Sequence, residues 1–295
     1  MIGVVNLDKP VGPTSHDMVD LVRRLTGIRR IGHAGTLDPL ASGVLPILVG
    51  AATRFSDDLT GGVKRYEAVI RLGIRSATDD AQGPLEVVAR PPDAPAVATA
   101  LASFVGTFEQ RPPAFSARKL GGAVAHRAAR AGTSLEVEPR RVTVHAIDLL
   151  GSEAGEGWLD LRCDIRCGPG TYIRSIARDL GDRLGCGGHL HALRRTEAAG
   201  LRAADGITPT ELQRLASGGR LSDAVLPVGS LLQLPELRLD AEAAGRFLHG
   251  SAVLMRGERG SGRHAVFADG ELLGIGLLRD GILEPRTVIA SPGTA

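Results

Sequence analysis

The chain has 295 residues, 43% hydrophobic and 23% charged, an ordinary globular composition that excludes wholesale disorder and suffices for one large core or a main domain with a small appendage. Its formal net charge of +2 argues neither for nor against a polyanionic partner, because a basic face can coexist with acidic patches elsewhere. Three cysteines, Cys163, Cys167 and Cys186, with no paired C-x-x-C unit, argue against a disulfide framework or a structural zinc site.

The N-terminus opens on a strand-like run, residues 2–7, without the basic region and long apolar core of a signal peptide. No apolar run reaches membrane-spanning length, so a cytoplasmic protein is expected. A turn over residues 8–12, containing Lys9, leads to a helix that Thr14 or Ser15 caps. Its apolar side is Met18, Val19, Val22 and Leu25, and Gly27 ends it. A glycine-bounded loop, residues 32–43, precedes a short apolar run at 44–49 that reads as a buried strand. Tyr66, Ala68, Ile70 and Leu72 share one face of the next strand. Residues 94–105 read as a helix.

Prolines exclude a regular element over residues 110–119, which read as an exposed basic arm carrying Phe115. Alternation then returns at 158–167. Leu159, Leu161, Cys163, Ile165 and Cys167 fall on one face and Asp160, Arg162, Asp164 and Arg166 on the other, a strand with one face buried. Gly168-Pro169-Gly170 turns the chain into a helix capped by Thr171, with Ile173, Ile176, Ala177, Leu180 and Leu184 as its stripe. Strands and helices interleave without a strict βαβ repeat, which gives an α+β class built on a mixed or antiparallel sheet. Beyond residue 227 the character changes. Asp269-Gly270 and Asp280-Gly281 each supply a tight turn between strand-like runs, so residues 228–295 read as a small β-rich domain after a main domain of residues 1–227.

The loop at 32–43 isolates one carboxylate. Pro39 biases Asp38 toward an extended backbone, while the loop's glycines permit turns and close approach by a partner, which is how an enzyme presents an acid to a substrate. Arg23, Arg24, Arg29 and Arg30 crowd the approach to this loop in sequence, and Arg111, Arg118, Lys119, Arg127, Arg130, Arg140 and Arg141 crowd a later region. Arginine suits bidentate phosphate contact. His189 and His191 near Cys186 are a weak metal signal, and no metal is expected.

Residues 32–45, in the pattern G-H-x-G-x-L-D-P-x-A-x-G-x-L, closely resemble the catalytic motif of the pseudouridine synthases of the TruB family. Further resemblances follow in the order that family shows: Lys64-Arg65-Tyr66, Thr78-Asp79-Asp80-Ala81-Gln82-Gly83, the arm beginning Gln110-Arg111-Pro112-Pro113, Cys167 to Ser175, and Leu190 to Thr196. The resemblance implies a pseudouridine synthase fold with a PUA-like RNA-binding domain at the C-terminus. It implies Asp38 as catalytic residue, paired with Arg174, and such a pair lowers a carboxylate's pKa. Tyr66 then stacks on the target base and takes part in proton removal, Tyr172 walls the pocket, Leu193 packs on the base, and His33 fills the space the everted nucleotide vacates. Asp80 corresponds to an acidic residue of the family.

Lys9 and Lys64 join the substrate-binding set. In the arm, an insertion of about residues 110–142, Ser116, Lys119 and Arg130 grip an RNA stem-loop. The sequence departs from the family at Ala77, at Gly168, where the family has serine, and at Ala123, Val124 and His126 after Gly122. The implied reaction is isomerisation of uridine-55 in the T loop of tRNA by a monomer without cofactor or obligatory protein partner. A tRNA chaperone acting through binding alone and a guide-RNA-dependent pseudouridine synthase are the alternatives.

Overall fold

The computed structural model describes residues 1–114, 119–120, 123–124, 138–255 and 260–289, of 119–120 and 123–124 the backbone alone. The main sheet has ten strands. β1 (Gly3–Lys9) leads into α1 (Ser15–Thr26), whose start is fixed by a reciprocal capping box between Thr14 and Asp17 and whose end is fixed by Gly27 in the left-handed region at φ 68°. The helix buries Met18, Val19, Leu21 and Val22. β2 (Ile31–His33) and β3 (Ala41–Val49) flank the Asp38 loop. After the short α2 (Ser56–Thr60) come β4 (Lys64–Leu72), the hairpin of β5 (Ile74–Ser76) and β6 (Leu85–Val87), and α3 (Ala94–Ala102). α3 ends earlier than its periodicity predicts, because the amides of Ser103, Phe104 and Val105 each bond three residues back and tighten the chain into a turn.

β7 (Gly106–Gln110) and the two-residue strands β8 (Lys119–Leu120) and β9 (Ala123–Val124) precede the long hairpin of β10 (Arg140–Gly155) and β11 (Trp158–Cys167). α4 (Ile173–Arg183), β12 (Gly188–Ala198), β13 (Leu201–Arg202), α5 (Pro209–Ser217) and β14 (Val225–Leu226) complete the main unit. The sheet order is β14-β1-β3-β12-β4-β11-β10-β7, with β2 on β3 and β13 on β12. Among the described residues of this sheet, β3/β12 is the parallel pair and the others are antiparallel, so the expected mixed sheet is present.

Cross-strand partners point to the same face. One row runs Lys9, Gly43, Arg195, Tyr66, Ile165, and a neighbouring one runs Ala41, Leu193, Ala68, Cys163. On this face Tyr66, Ala68, Ile70 and Leu72 pack against α3 and α4, and Val5, Leu7, Leu45 and Ile47 pack against α1 and α5. The candidate site opens between these two cores. At one end of the opposite face Val4, Val44, Leu48 and Phe55 meet Ile275 of a second sheet. That five-stranded sheet comprises β15 (Glu236–Arg238), β16 (Val253–Leu254), β17 (Gly262–Ala268), β18 (Glu271–Arg279) and β19 (Ile282–Val288), with α6 (Ala241–Leu248) packed on it. Asp269 and Asp280 both sit at φ 49° ahead of a positive-φ glycine, so both turns form as their dipeptides predict. Arg263 of β17 pairs with Asp58 of α2, and Arg54 donates to the Val288 carbonyl.

Four local readings change. The second face of β11 is not simply solvated: Asp160 and Asp164 are buried because Arg71 and Arg65 lie across them, with N···O distances of 2.7 and 2.9 Å. Thr171 does not cap α4. Its hydroxyl donates to the Gly168 carbonyl, and the N-cap residue is Tyr172. Gln110 is not an exposed arm residue but the buried end of β7. Lys119 lies in a regular element, β8, paired with β9.

Gly43 has a backbone φ of 102°, and a Cβ there would lie 2.1 Å from the Arg195 carbonyl oxygen. Gly43→Ala is expected to lower unfolding free energy by about 3 kcal/mol or more through positive-φ strain and separation of the parallel pair. A denaturant titration checks this.

Candidate active site

The Asp38 loop is held from three sides. From α1, the Ser15 hydroxyl donates to the Leu37 carbonyl and accepts from the Leu37 amide, both at 2.8 Å. Behind the loop, Gly12 N–H donates to the Pro39 carbonyl at 2.9 Å. From β12, Arg195, 1% exposed, donates Nε to the Val44 carbonyl at 2.8 Å, Nη1 to Thr36 at 3.3 Å and Nη2 to Gly35 at 2.9 Å. A planar fork with five donors suits a loop whose carbonyls converge from different directions.

The loop delivers Asp38 to Arg174, in the first turn of α4. Asp38 Oδ2 lies 3.0 Å from Arg174 Nε. On its other side Arg174 Nη1 donates to the Thr78 carbonyl at 3.3 Å and to Asp80 Oδ2 at 3.4 Å. Asp80 is itself fixed, its Oδ1 accepting from Thr78 Oγ1 at 2.7 Å and from the Gln82 amide at 3.1 Å. One guanidinium thus joins a buried carboxylate to one whose side chain is 39% exposed within the recess.

Protein walls around Asp38 change the expected electrostatics. Burial pushes its pKa above the usual carboxylate range, Arg174 pulls it down, and Asp80 pushes it up again, with burial the largest effect. The sequence expectation that the ion pair lowers this pKa is therefore corrected: Arg174 limits a rise rather than producing a fall.

A cavity of about 340 Å³ opens in front of the pair. Tyr66, Tyr172, Ile173 and Leu193 give it apolar walls, and Asp38, Arg174, Lys64, Arg195 and Arg140 supply its charged groups. This is an apolar slot with an acid at one end, of the size range typical of small-molecule sites. Tyr66 is buried, which raises its phenol pKa, while neighbouring Arg195 favours the phenolate. Lys64 Nζ donates to the Thr60 and Gly62 carbonyls at 2.7 and 2.9 Å, and its pKa is lowered to about 8, first by burial and then by Arg195.

Other candidates from the sequence lie outside the cavity lining. Lys9 is fully buried, its Nζ on the Pro10 and Pro13 carbonyls at 2.9 and 2.8 Å. Burial lowers its pKa to about 8 against the attraction of Asp38. Asp80 stands behind Arg174. His33 is partly buried, its pKa lowered by burial and then by Arg195. Ser116 and Arg130 lie outside the described residues, as does the side chain of Lys119. Of the first arginine cluster, Arg23 bonds Asp20 and Arg30 bonds Thr53, and none of its four members lines the cavity. Among the described residues no three carboxylates, imidazoles or thiols converge to hold a metal. A larger recess of about 700 Å³ on the opposite sheet face is lined by charges of both signs, among them the Arg65–Asp164 pair, and lacks the acid-bearing apolar slot.

Arg195 was not singled out from sequence. Strand alternation from Leu193 was the available signal, since it puts Arg195 on the Tyr66 face. Gln110 and Arg140 were read only as arm and basic cluster.

A family model described as TruB family pseudouridylate synthase (N terminal domain) matches residues 23–173. Models for the tRNA pseudouridylate synthase B C-terminal domain and for pseudouridine synthase II TruB, C-terminal, match residues 174–233 and 235–289. The chain belongs to the TruB family. Similar TruB relatives include tRNA pseudouridine synthase B of Dechloromonas aromatica (strain RCB), 43% identical over 97% of this chain and 95% of that one. The protein of the same name from Ralstonia pickettii (strain 12J) is 40% identical over 97% and 94%.

The TruB fold seen here is also that of a chain in a Cbf5-Nop10-Gar1 complex, with TM-score 0.71, 26% identity, and coverage of 97% of this chain and 84% of that one. A chain of an H/ACA RNP bound to a substrate RNA containing 2'-deoxyuridine matches with TM-score 0.74 and 24% identity over 99% of this chain and 86% of that one. As a TruB-family pseudouridine synthase the protein is an isomerase with an α+β main unit and a β-rich C-terminal domain. No helix among the described residues is long and apolar enough to cross a membrane.

Replacing Arg195 by Met strands three loop carbonyls in a buried place. The expected loss is about 3 kcal/mol or more of stability, from about 1 kcal/mol or more per unsatisfied group. Chemical denaturation measures it, and hydrogen exchange of residues 35–44 reports whether the loop opens first.

Proposed function

We propose that the protein isomerises uridine-55 in the T loop of tRNA to pseudouridine, with Asp38 as the catalytic carboxylate. The observation that carries this reading is the Asp38–Arg174 pair, 3.0 Å apart, at the end of an apolar slot lined by Tyr66, Tyr172 and Leu193. The names of the relatives support tRNA as substrate.

Isomerisation breaks the bond from ribose C1′ to uracil N1, rotates the ring, joins C1′ to C5, removes the C5 proton and leaves N1 carrying a proton. Composition and oxidation state are unchanged, so the reaction needs no redox cofactor. A folded T loop hides its uridine, so the nucleotide must be everted at about a few kcal/mol, which stacking and backbone contacts offset. In this reading Tyr66 and Leu193 pack on the uracil, Tyr172 closes the side and His33 occupies the vacated space. Burial disfavours the ionised form of Asp38 and Arg174 favours it, and the carboxylate supplies negative charge to the electron-poor centre. Tyr66 takes the C5 proton, with burial raising its phenol pKa and Arg195 opposing that rise. Lys64 contributes to the cavity wall, and Ser116, Lys119 and Arg130 of the insertion hold the stem. Residues 1–227 form the catalytic unit and residues 228–295 a PUA-like unit that holds RNA, in a monomer that needs no guide RNA or protein partner.

Carbodiimide mapping of a T stem-loop transcript tests the reading, because the product is mass-silent. Wild type is expected to convert the bare stem-loop. Asp38→Asn is expected to lose about 10³-fold or more in rate, the scale of removing a group that acts on the reacting atoms, while still binding RNA. Conversion by Asp38→Asn at the wild-type rate would remove Asp38 from catalysis. Wild-type inactivity on the bare stem-loop, restored by a guide RNA, would favour the guide-dependent alternative.

A further inference from the structure

Tyr172 starts α4 with an extended backbone and no side-chain cap of its own. Gln110, 1% exposed, folds its amide onto the Tyr172 backbone: Oε1 accepts from the Tyr172 N–H at 2.8 Å and Nε2 donates to the Tyr172 carbonyl at 3.1 Å. Directly across the β7/β10 ladder from Gln110 stands Arg140, whose guanidinium lies 4.7 Å over the Tyr172 ring. Its Nε is buried without a hydrogen-bond partner among the described residues, consistent with a guanidinium held over an aromatic ring. Gly170 leaves space for it, since a Cβ there would come within 3.1 Å of Arg140. Just past Gln110, Ser175 Oγ and Arg178 Nη2 of α4 both donate to the Arg111 carbonyl at 2.9 Å.

We infer that Gln110 and Arg140 are positioning residues that clamp Tyr172, one by its backbone and one by its ring, and so set the width of the base-binding slot and the place of Arg174 two residues on. The inference rests on the proposed function and differs from the sequence reading of both residues as parts of an RNA grip. Gln110 is too buried to touch RNA, and the Arg140 guanidinium is laid on a ring instead of pointing at solvent. These two residues are partners at the strand ends that border the insertion. The strands carrying that segment therefore end against the wall of the pocket.

The chain has two tyrosines, Tyr66 and Tyr172, so 3-fluorotyrosine labelling gives two ¹⁹F resonances, assigned with Tyr172→Phe. Gln110→Met keeps length and removes both hydrogen bonds. Arg140→Lys keeps charge and removes the flat guanidinium face. In each variant the Tyr172 resonance is expected to move while that of Tyr66, which reports an intact core, stays in place. Single-turnover conversion at saturating stem-loop is expected to fall about 10- to 100-fold, as misplacement of a positioned group by about 1 Å does, with RNA affinity close to wild type.

A Tyr172 resonance that does not move overturns the clamp. So does an unchanged rate constant at saturation, and such a result with weakened affinity assigns the residues to RNA grip instead. If Gln110→Met fails to fold, Arg140→Lys carries the test through the same readouts. Should wild type convert no uridine, the functional reading fails, and the ¹⁹F comparison still decides the clamp.

Discussion

One guanidinium serving two carboxylates governs the arrangement of this molecule. Arg174 is 6% exposed, and a cation so enclosed is costly unless its donors are met. Asp80, equally enclosed, answers one side through a turn in which Thr78 and the Gln82 amide hold the carboxylate still. Asp38 answers the other side but remains reachable from the cavity. The acid that faces the cavity is thereby placed by a cation whose position does not depend on it alone. The same geometry sets its charge, because burial and Asp80 work against ionisation and Arg174 works for it.

The sheet supplies the rigidity this pairing requires. Lys9, Gly43, Arg195 and Tyr66 stand in one row across four strands, so the residue that braces the Asp38 loop is the cross-strand neighbour of the aromatic that floors the slot. Arg195 uses its donors on carbonyls of residues 35, 36 and 44, and Gly43 allows the close approach of the parallel β3/β12 pair. Cores on either side of the row, one under α3 and α4 and one under α1 and α5, leave the recess between them. Sites built on strands and helix ends keep their geometry better than sites built on loops alone. Here the single loop is tied down from α1 and β12.

Much of this was legible in the sequence wherever one local rule dominated. Thr14 or Ser15 and Gly27 bounded α1, the Asp-Gly pairs bounded the C-terminal hairpins, and alternation put Tyr66, Ala68, Ile70 and Leu72 on one face, where they are buried together. The pairing of Asp38 with Arg174 came from motif resemblance, because 136 residues separate them and no local pattern joins them. What was missed depended on tertiary neighbours. Asp160 and Asp164 are buried because arginines from β4 lie across them. Gln110 looked like part of an exposed arm because prolines follow it, yet its amide meets the Tyr172 backbone from 62 residues away. The direction of the Asp38 pKa shift was missed for the same reason, since an ion pair can be read from a motif but enclosure cannot.

The central claim is that an ionised Asp38, held so by Arg174, is the group the chemistry needs. The acid limb of kcat/KM against pH, measured on a T stem-loop, tests it most directly because that profile reports ionisations of the free enzyme. A carboxyl whose pKa is raised keeps its proton to higher pH, so activity must be lost as pH falls through a value above the ordinary 3.8. With Arg174→Lys, which keeps a charge but loses the fork, the limb should move further up. A rate with no acid limb above the ordinary carboxylate value, or a limb that stays fixed when Arg174 is replaced, would contradict the account.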